Sequence, residues 1–362
     1  MIQTRRDFIS TGAAAAAAIG LAGCRTGASV PAWKPNPNAE IWAAYLPFGR
    51  NMWSDVPVPE WGGNKGDTPE KRKDLLNVVA ADHIRFDETT WQHITAKMAS
   101  VGMNMVVIDL GEALEYPSHP ELAVKGSWKA DRFRKELAHL RGMGLEPIPK
   151  HNFSTGHDTW LGLYHRMVST PTYYKVCADL IADVCDIFDT PRLFHLGYDE
   201  ETAANQKYYG YVCVRQGELW WHDFLYLSGE VEKRGVRPWI WSDRVWHHEK
   251  EFVSRMPKSV LQSNWYYGSK FDLSDPKMHP YSRQGVKAYL TLEKAGFDQV
   301  PCGSTHNSDA NVTGTVKFAR EHISKNLLKG FLLAAWVGGV LPKNEAKHLH
   351  AIDVMAEAMK IS

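Results

Sequence analysis

The chain has 362 residues, with 42 basic and 41 acidic side chains and a formal charge of +1. That balance leaves no basic stripe for nucleic acid and gives no reason to expect a polyanionic ligand. Five cysteines occur without a C-x-x-C or Cys/His spacing, so a zinc site is not indicated, and Cys177, Cys185, Cys213 and Cys302 read as buried thiols.

From the amino terminus, Thr4-Arg5-Arg6-Asp7-Phe8-Ile9 is a paired-arginine segment followed by an uncharged, alanine-rich run from Ser10 to Leu21. The run is too short and too alanine-rich for a spanning helix. It closes in Leu21-Ala22-Gly23-Cys24, which resembles the lipobox of bacterial lipoproteins. Residues 1–24 therefore read as a twin-arginine export signal with Cys24 as the lipidated residue. Residues 25–38, rich in Pro, Gly and Ala, read as a tether, and 39–362 as a single domain. The expected location is the periplasm or cell envelope, with membrane contact through the lipid anchor only.

The domain alternates strand-like and helix-like segments. Ile41–Leu46, Met103–Leu110 and Leu145–Lys150 read as strands, separated by helices over Asp87–Val101 (with Asp87 as N-cap) and Lys129–Met143. Helix Thr172–Phe188 leads to the central strand at Leu193, in the stretch LFHLGYDEE that ends at Glu201. Helix Gln216–Arg234, strands Arg237–Trp241, Val260–Trp265 and Val286–Leu292, helix Asp309–Leu327 and strand Gly330–Trp336 complete the pattern. The short segment around Glu249–Met256 and the irregular Phe271–Ser282 predict reduced helices after strands five and six. Eight strands in alternation, without a glycine-rich phosphate loop after the first, predict a (β/α)8 TIM barrel.

In such a barrel the residues at the carboxyl ends of the strands share one mouth. Here they are Arg50, Asp109, His151 and Asn152, Asp199 and Glu200, Trp241 and Asp243, Trp265, Tyr266 and Tyr267, and Trp336. An acid pair, a forked donor and several indoles suit a sugar, whose C–H faces stack on rings while its hydroxyls take charged partners.

The run His195-x-Gly197-x-Asp199-Glu200 resembles the His-x-Gly-Gly-Asp-Glu signature of family 20 glycoside hydrolases, the β-N-acetylhexosaminidases. The resemblance implies a barrel in which Asp199 holds the substrate's acetamido group and Glu200 gives a proton to the leaving oxygen. It further implies that Arg50 binds sugar hydroxyls and that Asp109 and His151 stand at the matching places after strands two and three. Trp241 and Trp336 would line the acetamido pocket, with Tyr266 or Tyr267 donating to the acetamido oxygen, while Asp243 and Trp265 are expected to bind substrate from their strand-end positions alone. The scheme calls for no metal or organic cofactor. Two departures stand out. Tyr198 replaces the second glycine, which predicts a narrowed or re-aimed pocket, and Trp336-Val337-Gly338 replaces Trp-x-Glu. Two other readings compete. Glu293, just past the seventh predicted strand, would serve as an enzyme nucleophile opposite Glu200. Alternatively, the chain is a lipid-anchored carbohydrate-binding protein without turnover.

Overall fold

The computed structural model describes residues 35–54, 79–206, 209 and 212–361. The export signal, Cys24 and most of the expected tether fall outside them. The residues from Pro35 onward form one unit. Its eight parallel strands are β1 (Ile41–Pro47), β2 (Met105–Asp109), β3 (Glu146–Lys150), β4 (Leu193–His195), β5 (Arg237–Trp241), β6 (Leu261–Ser263), β7 (Cys302–Gly303) and β8 (Gly330–Ala334). They hydrogen-bond in the order β6-β5-β4-β3-β2-β1-β8-β7. Bridges Gln262–Gln299 and Trp265–Cys302 bring β6 to β7, so the sheet curls into the nearly closed barrel that the alternation predicts.

Among the described residues eight α-helices surround it: α1 (Glu88–Ser100), α2 (Ala130–Gly142), α3 (Pro171–Ile187), α4 (Gly217–Glu232), α5 (Arg244–Arg255), α6 (Pro280–Lys294), α7 (Ala310–His322) and α8 (Pro342–Ala358). Period-two alternation sorts the strand side chains. Tyr45, Val107, Ile148, Trp239 and Leu332 fill the barrel, while Trp42, Val106, Phe194, Ile240 and Leu333 meet the helices. Helix starts follow capping chemistry. Asp87 accepts from the Thr90 amide at 2.8 Å, and Thr170 accepts from Tyr173 ahead of Pro171 at the first helical position.

Two sequence expectations are corrected. Val286–Leu292 is not a strand but the middle of α6. Val286, Ala288, Leu290 and Leu292 alternate, yet the buried set is Gly285, Val286, Ala288, Tyr289 and Leu292, one face of a helix. The seventh strand is instead Cys302–Gly303, too short to carry a pattern. The helix after β6 is also not reduced, since α6 has 15 residues behind an irregular stretch, whereas α5 spans 12 residues but is broken at His248 (φ −129°, ψ 37°). Glu293 moves with this correction. It sits in the last turn of α6, where its Oε2 accepts from the Ser324 amide (3.2 Å), away from the strands' carboxyl ends. It is therefore not placed opposite Glu200.

Candidate active site

The central strand stops at His195, and residues 196–201 emerge as a tightly held turn. Gly197, Tyr198 and Glu200 all have left-handed backbone (φ 72°, 73° and 54°). A β-carbon on Gly197 would collide with Asn152, so this position requires glycine. Tyr198 adopts the same conformation at some steric expense, and its ring turns away from the mouth to meet Trp220 and Phe224 edge-on in α4. The expected narrowing by Tyr198 is thus corrected: the ring is buried in the wall behind the acids.

The turn is pinned by a buried ion network. Arg215 holds Glu201 through Nε (3.0 Å) and Nη2 (2.6 Å), and Asp223 of α4 through Nη1 (3.2 Å). Its Nη2 also donates to the Phe153 carbonyl at 2.7 Å. Glu201 is therefore structural, while Asp199 and Glu200 face the mouth.

There they line a cavity of about 300 Å³. Asn152 Nδ2 donates to Asp199 Oδ1 at 2.8 Å. His157 Nε2 lies 3.6 Å from Asp199 Oδ2 and 3.4 Å from Glu200 Oε2, bridging the pair. Burial works against an imidazolium at His157, but the two carboxylates outweigh it and raise its pKa above the ordinary histidine value. Behind Glu200, its backbone amide donates to Asp243 Oδ2 at 3.0 Å. Burial, and then the charge of Asp199, push the Asp243 carboxyl up to about 7.

The aromatic wall is continuous. Trp265 stacks on Tyr267 with centroids 5.2 Å apart, Tyr267 meets Trp336 at 6.2 Å, and Trp336 meets Trp241 at 6.1 Å. Trp241 Nε1 is buried without a hydrogen-bond partner among the described residues, a donor available to a ligand. Trp336 holds a left-handed backbone (φ 51°) at the end of β8, which turns its indole across the barrel mouth.

Other predicted residues stand elsewhere. Asp109 faces the barrel axis beneath the cavity, ion-paired to Lys150 Nζ (2.5 Å) and accepting from Tyr45 OH (3.0 Å). His151 is fully buried, stacked on Trp160 at 4.4 Å, and held neutral with a pKa of about 3, by burial and then by Lys150. It is not on the cavity wall; His157 is, six residues on. Tyr266 turns outward and donates to the Lys270 carbonyl, which leaves Tyr267 as the wall tyrosine. Arg50 lines an adjoining basin that shares Trp336 and His306 with the cavity. Sequence reasoning missed His157, Tyr45, Trp53, Tyr281 and His306, which line the cavity from loops, from inside β1 (Tyr45) and from the first turn of α6 (Tyr281). His157, Asp199 and Glu200 each offer a ligand atom within 4.8 Å of the others, so this trio is also the group among the described residues able to meet at a cation.

Fold and site together define a (β/α)8 barrel with a carboxylate pair beneath an aromatic cavity. Solved structures of similar fold are β-N-acetylhexosaminidases. A family 20 exo-β-N-acetylglucosaminidase from Vibrio harveyi, in complex with N-acetylglucosamine, matches with a TM-score of 0.59 and 12% identity, over 89% of this chain and 54% of that one. A β-N-acetylhexosaminidase from Bacteroides fragilis matches at 0.57 and 12%, over 88% and 65%. A pneumococcal StrH structure matches at 0.52 and 12%, over 90% and 84%. The chain thus spans little more than half of the Vibrio structure, 54% of its length. No family model matches the sequence, and no curated protein is significantly similar to it. Among the described residues no helix is long and apolar enough to cross a membrane.

Proposed function

We propose that this chain is a glycoside hydrolase acting on β-linked N-acetylhexosamine or a related sugar. The observation that carries the reading is the Asp199–Glu200 pair, side by side at the end of β4 under an aromatic cavity with room for one sugar ring. The similarity of fold to the β-N-acetylhexosaminidases from Vibrio harveyi and Bacteroides fragilis supports the same reading.

In this scheme the sugar's acetamido oxygen attacks the anomeric carbon as the glycosidic C–O bond breaks, and Glu200 gives its proton to the departing oxygen. Asp199, fixed by Asn152, accepts from the acetamido N–H, orients the group and balances the charge of the cyclic intermediate. Water then opens that intermediate, losing a proton to Glu200. Trp241, Trp265 and Trp336 confine the acetamido group, and Tyr267 donates to its oxygen. His157, between the two carboxylates, holds their relative orientation. Export by the twin-arginine route and anchoring through Cys24 complete the proposal.

The test uses the purified full chain on two aryl 2-acetamido-β-glycosides that differ only in aglycone acidity. Glu200→Gln is expected to lower turnover by roughly 10²–10⁴ on the poorer leaving group and by much less on the better one. Asp199→Asn should lose rate on both alike. An equal, leaving-group-independent loss in Glu200→Gln would remove it as the acid. Absence of turnover on every aryl glycoside, with sugar binding retained, would favour a binding protein.

A further inference from the structure

The net charge of +1 conceals a local excess. Beside the carboxylate cavity lies a second, larger basin of about 830 Å³ between the end of β8 and the start of α8. Its wall carries Arg50, His306, Lys343, Lys347 and His350, and the described residues lining it include no aspartate or glutamate. Trp336 and His306 belong to both walls, so the basin adjoins the acid-pair cavity.

The cations are poorly compensated. Lys343 and Lys347 are exposed, one turn apart on α8, and have no ion-pair partner among the described residues. The guanidinium of Arg50 lies 4.5 Å from the centre of the Trp53 ring, and its Nε is buried without a hydrogen-bond partner there. Arg50 has two buried acids within electrostatic reach, Asp109, which is ion-paired to Lys150, and Glu112, whose oxygens accept from the backbone amides of Arg50 and Asn51. His350 lies against Asp309 at 2.8 Å. The two lysines stand on one wall of a concave site without an ion-pair partner among the described residues, an arrangement that a bound anion relieves.

Gly338 sharpens the point. It lies in the basin wall with ordinary backbone, and a β-carbon there would touch only Asn344 Nδ2, at 3.6 Å. The space accepts a side chain, so the missing carboxylate is not forced by sterics.

We propose that this basin is a subsite for an anionic group on the saccharide, a sulfate or a carboxylate, held by Arg50, Lys343 and Lys347 while the neighbouring ring occupies the acid-pair cavity. This rests on the glycoside reading above for the placement of the ring, and on the basin alone for the anion. Guanidinium and ammonium groups on one wall match the oxygens of either anion through charge-assisted hydrogen bonds.

The experiment is calorimetric titration of the full chain with N-acetylglucosamine, N-acetylglucosamine 6-sulfate, and a disaccharide in which glucuronic acid caps N-acetylglucosamine. At low salt at least one anionic sugar should bind on the order of tenfold tighter than the neutral one, and which of them does so identifies the anion. The advantage should shrink in 0.3 M NaCl as the charges are screened. It should also collapse in the double variant Lys343→Glu/Lys347→Glu and, independently, in Gly338→Glu, which places a carboxylate in the open space. The readout is the ratio of anionic to neutral affinity, so a general loss of folding does not imitate it. Equal affinities for all three sugars, or an advantage that survives both variants, would overturn the subsite. Anionic binding as expected without turnover of any aryl glycoside would overturn the hydrolase reading and leave the subsite standing. Turnover with no anionic preference would do the reverse.

Discussion

At Asp243 a single carboxyl group is asked to stay buried beside two other acids. Its pKa of about 7 means that the folded protein keeps this proton through a range where the unfolded chain, near 3.9, has released it. Between about pH 4 and pH 7 the folded state binds more protons, so Asp243 lowers stability progressively as pH rises through that window, with its full penalty above it. Asp243→Asn keeps an oxygen for the Glu200 amide and removes the charge. The expected result is a gain in melting temperature that is larger at pH 8 than at pH 5, read by thermal unfolding at both. A gain of the same size at both pH values would mean that burial of the charge is not what Asp243 contributes. The residue scale is also where sequence reading fell short. Asp199, Glu200, Trp241, Trp265, Tyr267 and Trp336 were legible because strand ends in a barrel share one mouth. His157 was not, since its loop position follows from the tertiary course of residues 151–158 and not from any period. His151 drew attention by ending a strand, yet its ring turned to stack on Trp160.

At the scale of elements, the turn bearing the acids depends on contacts that reach across three segments. Arg215, ahead of α4, ties Glu201 of the turn, Asp223 of α4 and the Phe153 carbonyl after β3 into one buried cluster. Arg215→Met would strand two carboxylates without their counter-charge. The expected loss is about 3–5 kcal/mol in denaturant unfolding. A companion variant in which Glu201 and Asp223 are replaced by Gln and Asn as well should recover part of that loss. No recovery would indicate that packing, not charge, is what Arg215 supplies. Strand and helix assignments succeeded where a pattern ran for several turns, as in Asp87–Val101 against α1 at Glu88–Ser100. They failed where two periods coincided. Residues 286–292 carry both an alternating and a helical apolar pattern, and only the burial of Tyr289 in place of Leu290 separates them. The two-residue β7 had no pattern to read. It is defined by its neighbours, through Leu332 and Leu333 of β8 and the bridge from Trp265.

For the molecule as a whole, the proposal of a tethered enzyme has its own measurement. Cys24→Ser should release the protein from the membrane fraction while leaving its turnover intact, because every residue assigned to the site lies at position 45 or later. Retention of the variant on the membrane would remove the lipid anchor from the account. The (β/α)8 architecture itself was readable from alternation alone, since the barrel needs only eight strands with apolar faces and connections able to cross back. How the barrel's mouth divides into an acid-pair cavity and a cationic basin was not, because the two meet at Trp336 and His306, residues that loops bring together.

The left-handed backbone at Tyr198 bears on how such proteins are found. A motif written in letters treats glycine as the requirement at this position, whereas the turn asks only for an angle, and here a tyrosine supplies it with its ring stowed against Trp220 and Phe224. A search for further turns of this kind would do better to specify the torsion at this position, an aromatic recess on the following helix and an arginine behind the turn than to insist on a second glycine.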